Sequence, residues 1–420
     1  MTVSPDSQPT AASPEARESR RFGRRALLTG GAAGAGLGAA LGFGAALGIP
    51  GLRDTPTARA VEFGGESLPC HGVHQAGITT PPTAHQRYVA YTLKPETDRD
   101  ALTRMFRILT GDIEGLTSGV APLADSEPEL AARPARLTIT IGVGQTLVER
   151  VDPELRPKWL APLPKFSRDR FSGSYDGGDL LVLLQADDPL PLAHAARMLD
   201  RDLRSFATHS WTQQGFRQAR EAEADGTTMR NLMGQVDGTI NPRPKDEDFA
   251  DLVWLTGSGT ASDGNPGWLA GGSALVFRRI RMELDTWDQI DRPGREQTIG
   301  RTLSDGAPLT GGSEHTPVDY EATNEFGLPV VPAYAHIRRA RSEDPGERIF
   351  RRAVNYDDDG ESGLLFACYQ RDPLSQYVPI QERLDELDLL NEWVTHTGSA
   401  VFAILPGFTP ERGLGATLLT

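Results

Sequence analysis

Strand and helix patterns in this chain come in two successive cycles separated by one polar loop, and that order narrows the fold more than any single motif. In the first cycle an apolar strand pattern at 88–93 precedes an amphipathic helical pattern from about 98 to 116. Residues 137–143 and 180–185 alternate or run apolar between turn residues, as strands do, and a helical pattern follows over 192–206. Strand, helix, two strands, helix and strand is the ferredoxin-like order. Residues 223–245 are polar and rich in Gly and Pro, so they read as a connection. The second cycle has strand patterns at 273–280, 363–370 and 399–405 and a short helix beginning over 285–291. A further helical stretch at 380–393 places Leu384, Leu387 and Leu390 on one apolar face. The expected fold class is α+β, with two ferredoxin-like domains at 61–225 and 226–420 packed side by side.

Residues 1–60 read as an address label rather than as part of that fold. Two arginine pairs, Arg20-Arg21 and Arg24-Arg25, precede a run from 26 to 49 without a charge. The run is long enough to span a bilayer, but Gly and Ala dominate it, which makes a poor permanent anchor. Ala58-Arg59-Ala60 then offers a small-x-small cleavage site. The pattern predicts a twin-arginine signal, export by the twin-arginine translocase and an extracellular or cell-envelope location. That route carries folded proteins, so it hints at a cofactor seated before export. Without the leader the chain holds 36 basic and 53 acidic residues, a net charge of −17 that disfavours a phosphate-backbone partner. Only Cys70 and Cys368 occur, in no metal-binding spacing, so a zinc site and a disulfide framework are unexpected and both are read as free thiols.

No HExxH, GxSxG, P-loop or post-strand GxGxxG is present, which removes the usual support for several enzyme classes. Three weaker features remain. Asp237 lies between glycines in Gly234-Gln235-Val236-Asp237-Gly238-Thr239, a turn by composition that also lets backbone approach a flat ligand. His336 sits among apolar and basic residues in Tyr334-Ala335-His336-Ile337-Arg338-Arg339; a lone histidine is more often structural, and as a ligand it needs an acceptor for its other nitrogen. Arg351-Arg352 follows Ile349-Phe350, and strand alternation sends only one of the two guanidinium groups into a pocket.

Taken together and in order, these features resemble the dye-decolorizing peroxidase family, in its exported deferrochelatase/peroxidase branch. GVHQAGITTP at 72–81, GQVDGT at 234–239, AHIR at 335–338 and IFRR at 349–352 are similar to its hallmark segments. GLLFACYQ (363–370), PIQERLDELDLLNEW (379–393) and GSAVFAILPG (398–407) extend the resemblance over nearly all of 61–420. One departure is the stretch Arg339–Pro345 after AHIR, where the family often has Asn-Pro soon after.

The resemblance implies a dimeric α/β-barrel type of fold, with one haem b per chain in the C-terminal domain. His336 is then the proximal iron ligand, with Asp388 the acceptor for its other nitrogen and Asp385 the competing choice. Asp237 and Arg351 act on hydrogen peroxide, Leu364 and Phe366 wall the distal side, and Arg301 pairs with a haem propionate. His315 is the rival iron ligand. The implied function is a haem peroxidase that oxidises dyes, phenols or other one-electron donors through a ferryl intermediate. Bulky donors would deliver electrons through surface aromatics, with Tyr369, Tyr377 and Trp393 in the same region. Alternatives are a deferrochelatase that releases iron from haem and, in a different class, a non-enzymatic haem carrier. Nucleic acid and a permanent membrane anchor are not expected, and a homo-oligomeric state is left open.

Overall fold

The computed structural model describes residues 63–257 and 265–420. The chain divides into two units, Met1–Val61 and Glu62–Thr420, and the described fold is that of the second. The leader read at 1–60 lies outside the described residues. Among the described residues, no helix is long and apolar enough to cross a membrane.

The first cycle folds as β1 (His85–Leu93), α1 (Arg99–Ser118), β2 (Thr138–Val143), β3 (Leu180–Ala186), α2 (Pro189–Leu203) and β4 (Ala207–Phe216). Both long helices begin where an aspartate side chain accepts an amide of the first turn: Asp98 from Ala101 and Asp188 from Leu190. Three observed strands escape the apolar-run criterion, for different reasons. β4 alternates polar and apolar residues, and its buried set includes Trp211 and Gln213. The second cycle adds β5 (Ser273–Met282), β6 (Phe350–Arg351), β7 (Val354–Asp358), β8 (Glu361–Gln370) and β9 (Val394–Ile404). β6 and β7 are too short and too polar to stand out in sequence.

Eight strands close into an antiparallel barrel in the order β5-β9-β2-β3-β1-β4-β7-β8, with β5 pairing back onto β8. Each half contributes four of them in the ferredoxin-like order, and the halves join through β2–β9 and β4–β7 pairs. Closure removes the exposed sheet edges that two separate four-stranded sheets would carry. β6 continues along the same edge of β8 as β7, with Phe350 opposite Tyr369 and Arg351 opposite Cys368.

Alternation along β8 sorts its side chains into two environments. Leu365, Ala367 and Tyr369 belong to the cluster that fills the barrel, with Tyr88, Phe277 and Phe402. Leu364 and Phe366 point the other way, into a smaller apolar cluster with Met229, Met233, Trp287 and Val394. The amphipathic faces of α1 and α2 cover the outside of the first half.

Helix α3 (Arg292–Ile299) follows a short turn of helix, Leu284–Trp287, so the single helix expected from 285 is two pieces, with Asp291 capping the second. α4 (His336–Arg339) is one turn long, and α5 (Tyr377–Leu387) ends at Asp388 rather than continuing to 393. The apolar stripe expected on that stretch is not a buried face, since Leu387 is 50% exposed. Cys70 and Cys368 are both free.

Candidate active site

Three separate segments of the second half meet beside the outer face of β8. The first is the loop before Asp237. Asn231 closes it into a tight hairpin: its Oδ1 accepts from the amides of Met233 and Gln235, and its amide donates to Gln235 O. Gly234 and Gly238, at φ 83° and 125°, take backbone conformations that side chains resist, so the turn on either side of Asp237 depends on them. Asp237 donates its amide to Met229 O at 2.8 Å and keeps 17% of its side chain accessible.

Arg351 supplies the second segment. Its Nη1 donates to Asp237 Oδ1 at 3.1 Å, while Asp237 Oδ2 has a longer contact from Asn231 Nδ2 at 3.4 Å. Asn241 holds Arg351 by its backbone: Arg351 N donates to Asn241 Oδ1 at 2.7 Å, and Asn241 Nδ2 donates to Arg351 O at 2.9 Å. The neighbouring Arg352 goes elsewhere, into the charge environment of Tyr88 and Tyr369, where burial pulls its pKa down. One residue of strand alternation therefore separates the two guanidinium groups.

The third segment carries His336 at the start of α4. Its Nδ1 donates to Asp388 Oδ2 at 2.6 Å, while Asp388 Oδ1 accepts the Leu390 amide at 3.0 Å. Gly300, the left-handed C-cap of α3, supports this turn closely: a Cβ there would meet Ile337 Cγ1 at 2.7 Å. Burial opposes charge on the imidazole, but the Asp388 carboxylate outweighs it by charge and hydrogen bond. Asp237 adds to that effect and Arg351 opposes it, so His336 lies above the ordinary histidine value. The charges of Asp237 and Arg351 both bear on this imidazole, so the pair lies within electrostatic reach of it.

His336 leaves 31% of its side chain accessible although protein surrounds it. With Nδ1–H committed to Asp388, Nε2 keeps its lone pair, which suits a metal ligand with a carboxylate behind it. The walls are apolar: Leu364 is buried, and Ile337 and Phe366 are partly buried against the same cluster. A histidine backed by an aspartate, an Asp–Arg pair within electrostatic reach and an apolar lining fit a haem.

Other sequence candidates sort differently. Asp385 accepts from Ser167 N and Oγ, away from His336. His315 is exposed. Arg301 is buried, and its Nη1 donates to the carbonyls of Gly306 and Glu314 at 2.7 and 2.8 Å, so the structure places it as a clamp on its own loop. Tyr369 and Tyr377 are buried, at 1% and 3% exposure, so they are not the surface aromatics expected; only Trp393 of that set is partly exposed. His74 of the 72–81 segment is architectural: it stacks on Trp254 at 3.6 Å, and its Nδ1 is 2.7 Å from Gly271 O. Gln75 beside it bonds Ile141 and Leu405, from both halves of the barrel.

Residue reading missed Asn231, Asn241 and Glu314. Glu314 accepts from Thr228 and Thr239 on both sides of Asp237, at 2.6 and 3.0 Å. None of these has a local signature that separates it from an ordinary loop residue.

Comparison with known proteins covers both halves of the chain. Two family models match: "Dyp-type peroxidase, N-terminal" over 75–217 and "Dyp-type peroxidase, C-terminal" over 228–409. A dye-decolorizing peroxidase of Thermobifida fusca (strain YX) is 36% identical, over 96% of this chain and 98% of its own length. A deferrochelatase of Yersinia pestis bv. Antiqua (strain Nepal516) is 31% identical, over 81% of this chain and 82% of its own. Among solved structures, a DyP-type peroxidase from Cellulomonas bogoriensis superposes with a TM-score of 0.81 at 48% identity, covering 85% of this chain and 99% of that one.

Proposed function

Since the chain belongs to the Dyp-type peroxidase family and is a haem-dependent peroxidase, we propose that His336 holds the iron and that Asp237 and Arg351 handle hydrogen peroxide. The observation that carries this reading is the pair of contacts His336–Asp388 and Arg351–Asp237 beside one apolar cluster. When bound, haem would supply the two electrons that reduce peroxide and would then take single electrons back from donors.

Asp237 acts as base and then as acid. Its Oδ2 is the less engaged oxygen, with one contact at 3.4 Å, and takes a proton from one peroxide oxygen. The same atom returns that proton to the other oxygen, which leaves as water. Arg351 stays charged throughout and stabilises negative charge on the departing oxygen. Its donation to Asp237 Oδ1 also keeps that carboxylate directed at the proton-transfer position. Asp388 keeps the His336 tautomer fixed and the ring electron-rich. Leu364 and Phe366 restrict water and bulky donors beside the site.

Haem-loaded protein with stoichiometric peroxide tests this reading. We expect a rapid change in the Soret band, slowed about 100-fold or more in Asp237→Ala and in Arg351→Ala. Unchanged rates in both variants would remove these residues from the chemistry. The deferrochelatase alternative predicts a different product, iron-free protoporphyrin with its macrocycle intact.

The leader supports export by the twin-arginine route, from Arg24-Arg25 followed by the uncharged run and Ala58-Arg59-Ala60. Replacing Arg24 and Arg25 by lysine should leave the protein inside the cell; continued export at the normal rate would exclude this signal.

A further inference from the structure

The loop that carries Asp388 is gripped from outside by a segment of the first half of the chain. Phe166, Ser167, Arg168, Asp169 and Arg170 run beside residues 385–396. Three residues before Asp388, Asp385 accepts from Ser167 N at 2.9 Å and from Ser167 Oγ at 2.6 Å. Four residues after it, Glu392 accepts from Arg168 Nη2 at 2.6 Å. Farther on, His396 N donates to Arg168 O at 3.1 Å, and Arg170 N donates to His396 O at 2.8 Å.

This segment is itself moored in the core. Asp169 is buried, accepts the Phe166 amide at 3.0 Å and is ion-paired with the fully buried Arg278 of β5. Arg278 Nε also donates to His396 Nδ1 at 3.1 Å, an acceptor kept neutral by burial and by the Arg278 charge. A buried ion pair adds little net stability over an apolar substitute, so its effect here is chiefly to fix a geometry.

We propose that Ser167 and Arg168, moored by Asp169 and Arg278, are positioning residues for the axial pair: they set the direction in which Asp388 meets Nδ1 of His336. The argument rests on the function proposed above. Asp388 divides its oxygens between His336 and the Leu390 amide, so any shift of 385–392 turns the carboxylate relative to the imidazole. The hydrogen bonds of Ser167 and Arg168 go to Asp385, Glu392 and His396 of the loop that carries Asp388, so the two act through that loop.

The test uses haem-loaded protein and reads the iron–histidine stretching band of the ferrous form by resonance Raman, with haem loss to excess apo-globin as a second readout. Ser167 is exposed and Arg168 partly so, which leaves the core intact in the double variant Ser167→Ala, Arg168→Ala. We expect its band to move toward that of Asp388→Asn and its haem loss to quicken about three- to tenfold. Restoring Arg168 and placing Thr at 167 should return the band, because Thr keeps the hydroxyl that Asp385 accepts. Asp169→Asn should act in the same direction, with its thermal midpoint recorded to separate loss of fold from loss of aim. A wild-type band in the double variant, with a shifted band in Asp388→Asn, overturns the proposal and leaves the axial reading standing. An unshifted band in Asp388→Asn overturns both.

Discussion

At the scale of residues, one carboxylate carries much of this site. Asp388 offers Oδ2 to His336 and Oδ1 to the start of a short turn at Leu389–Glu392. Asparagine at 388 removes the negative charge and one acceptor, so the ring loses its anionic partner in a buried place. We expect Asp388→Asn to release haem about 10- to 100-fold faster than wild type. A haem-loss rate equal to wild type would show that the contact does not support the ligand. The choice between Asp388 and Asp385 was not decidable from spacing, because a helix continued through 393 presents neither at a defined angle. The helix stops at Leu387, and the capping role of Asp388 is what turns it toward His336.

At the scale of elements, α1 and α2 bring two acidic side chains together outside the barrel. Burial and the neighbouring Asp202 push the Asp112 carboxyl up to about 8 from an ordinary 3.8. Between those values the folded protein holds a proton that the unfolded chain has lost. Stability therefore falls as pH rises from about 4 and levels off beyond about 8. Asp112→Asn removes this penalty: its thermal midpoint should match wild type near pH 4 and exceed it near pH 8. Parallel midpoint curves over that range would mean the two carboxyls do not share a proton. The helices themselves were readable, because their apolar spacing and aspartate caps are local. β6 and β7 were not, since a two-residue strand and a half-exposed one exist only through their pairing with β8.

At the scale of the molecule, haem is one more partner of the folded state and should stabilise it. Free haem at a hundredfold excess over its dissociation constant adds about 2.7 kcal/mol. Thermal midpoints with and without haem should differ in wild type and in His315→Ala, whose side chain is exposed. The difference should vanish in His336→Ala. Loss of the haem effect in His315→Ala instead would move the ligand to that loop. Periodicity, caps and ordered motifs are properties of short stretches of chain, so the sequence alone determined the two ferredoxin-like cycles, the family and the candidate site residues. Only the tertiary structure decided that the cycles close into one barrel, that Arg351 meets Asp237 while Arg352 turns toward Tyr88 and Tyr369, and that Asp388 rather than Asp385 backs His336. Those outcomes depend on strand register and on contacts between residues far apart in the chain, 114 positions for Asp237 and Arg351 and 262 for the paired Gly142 and Ile404, which no local pattern encodes.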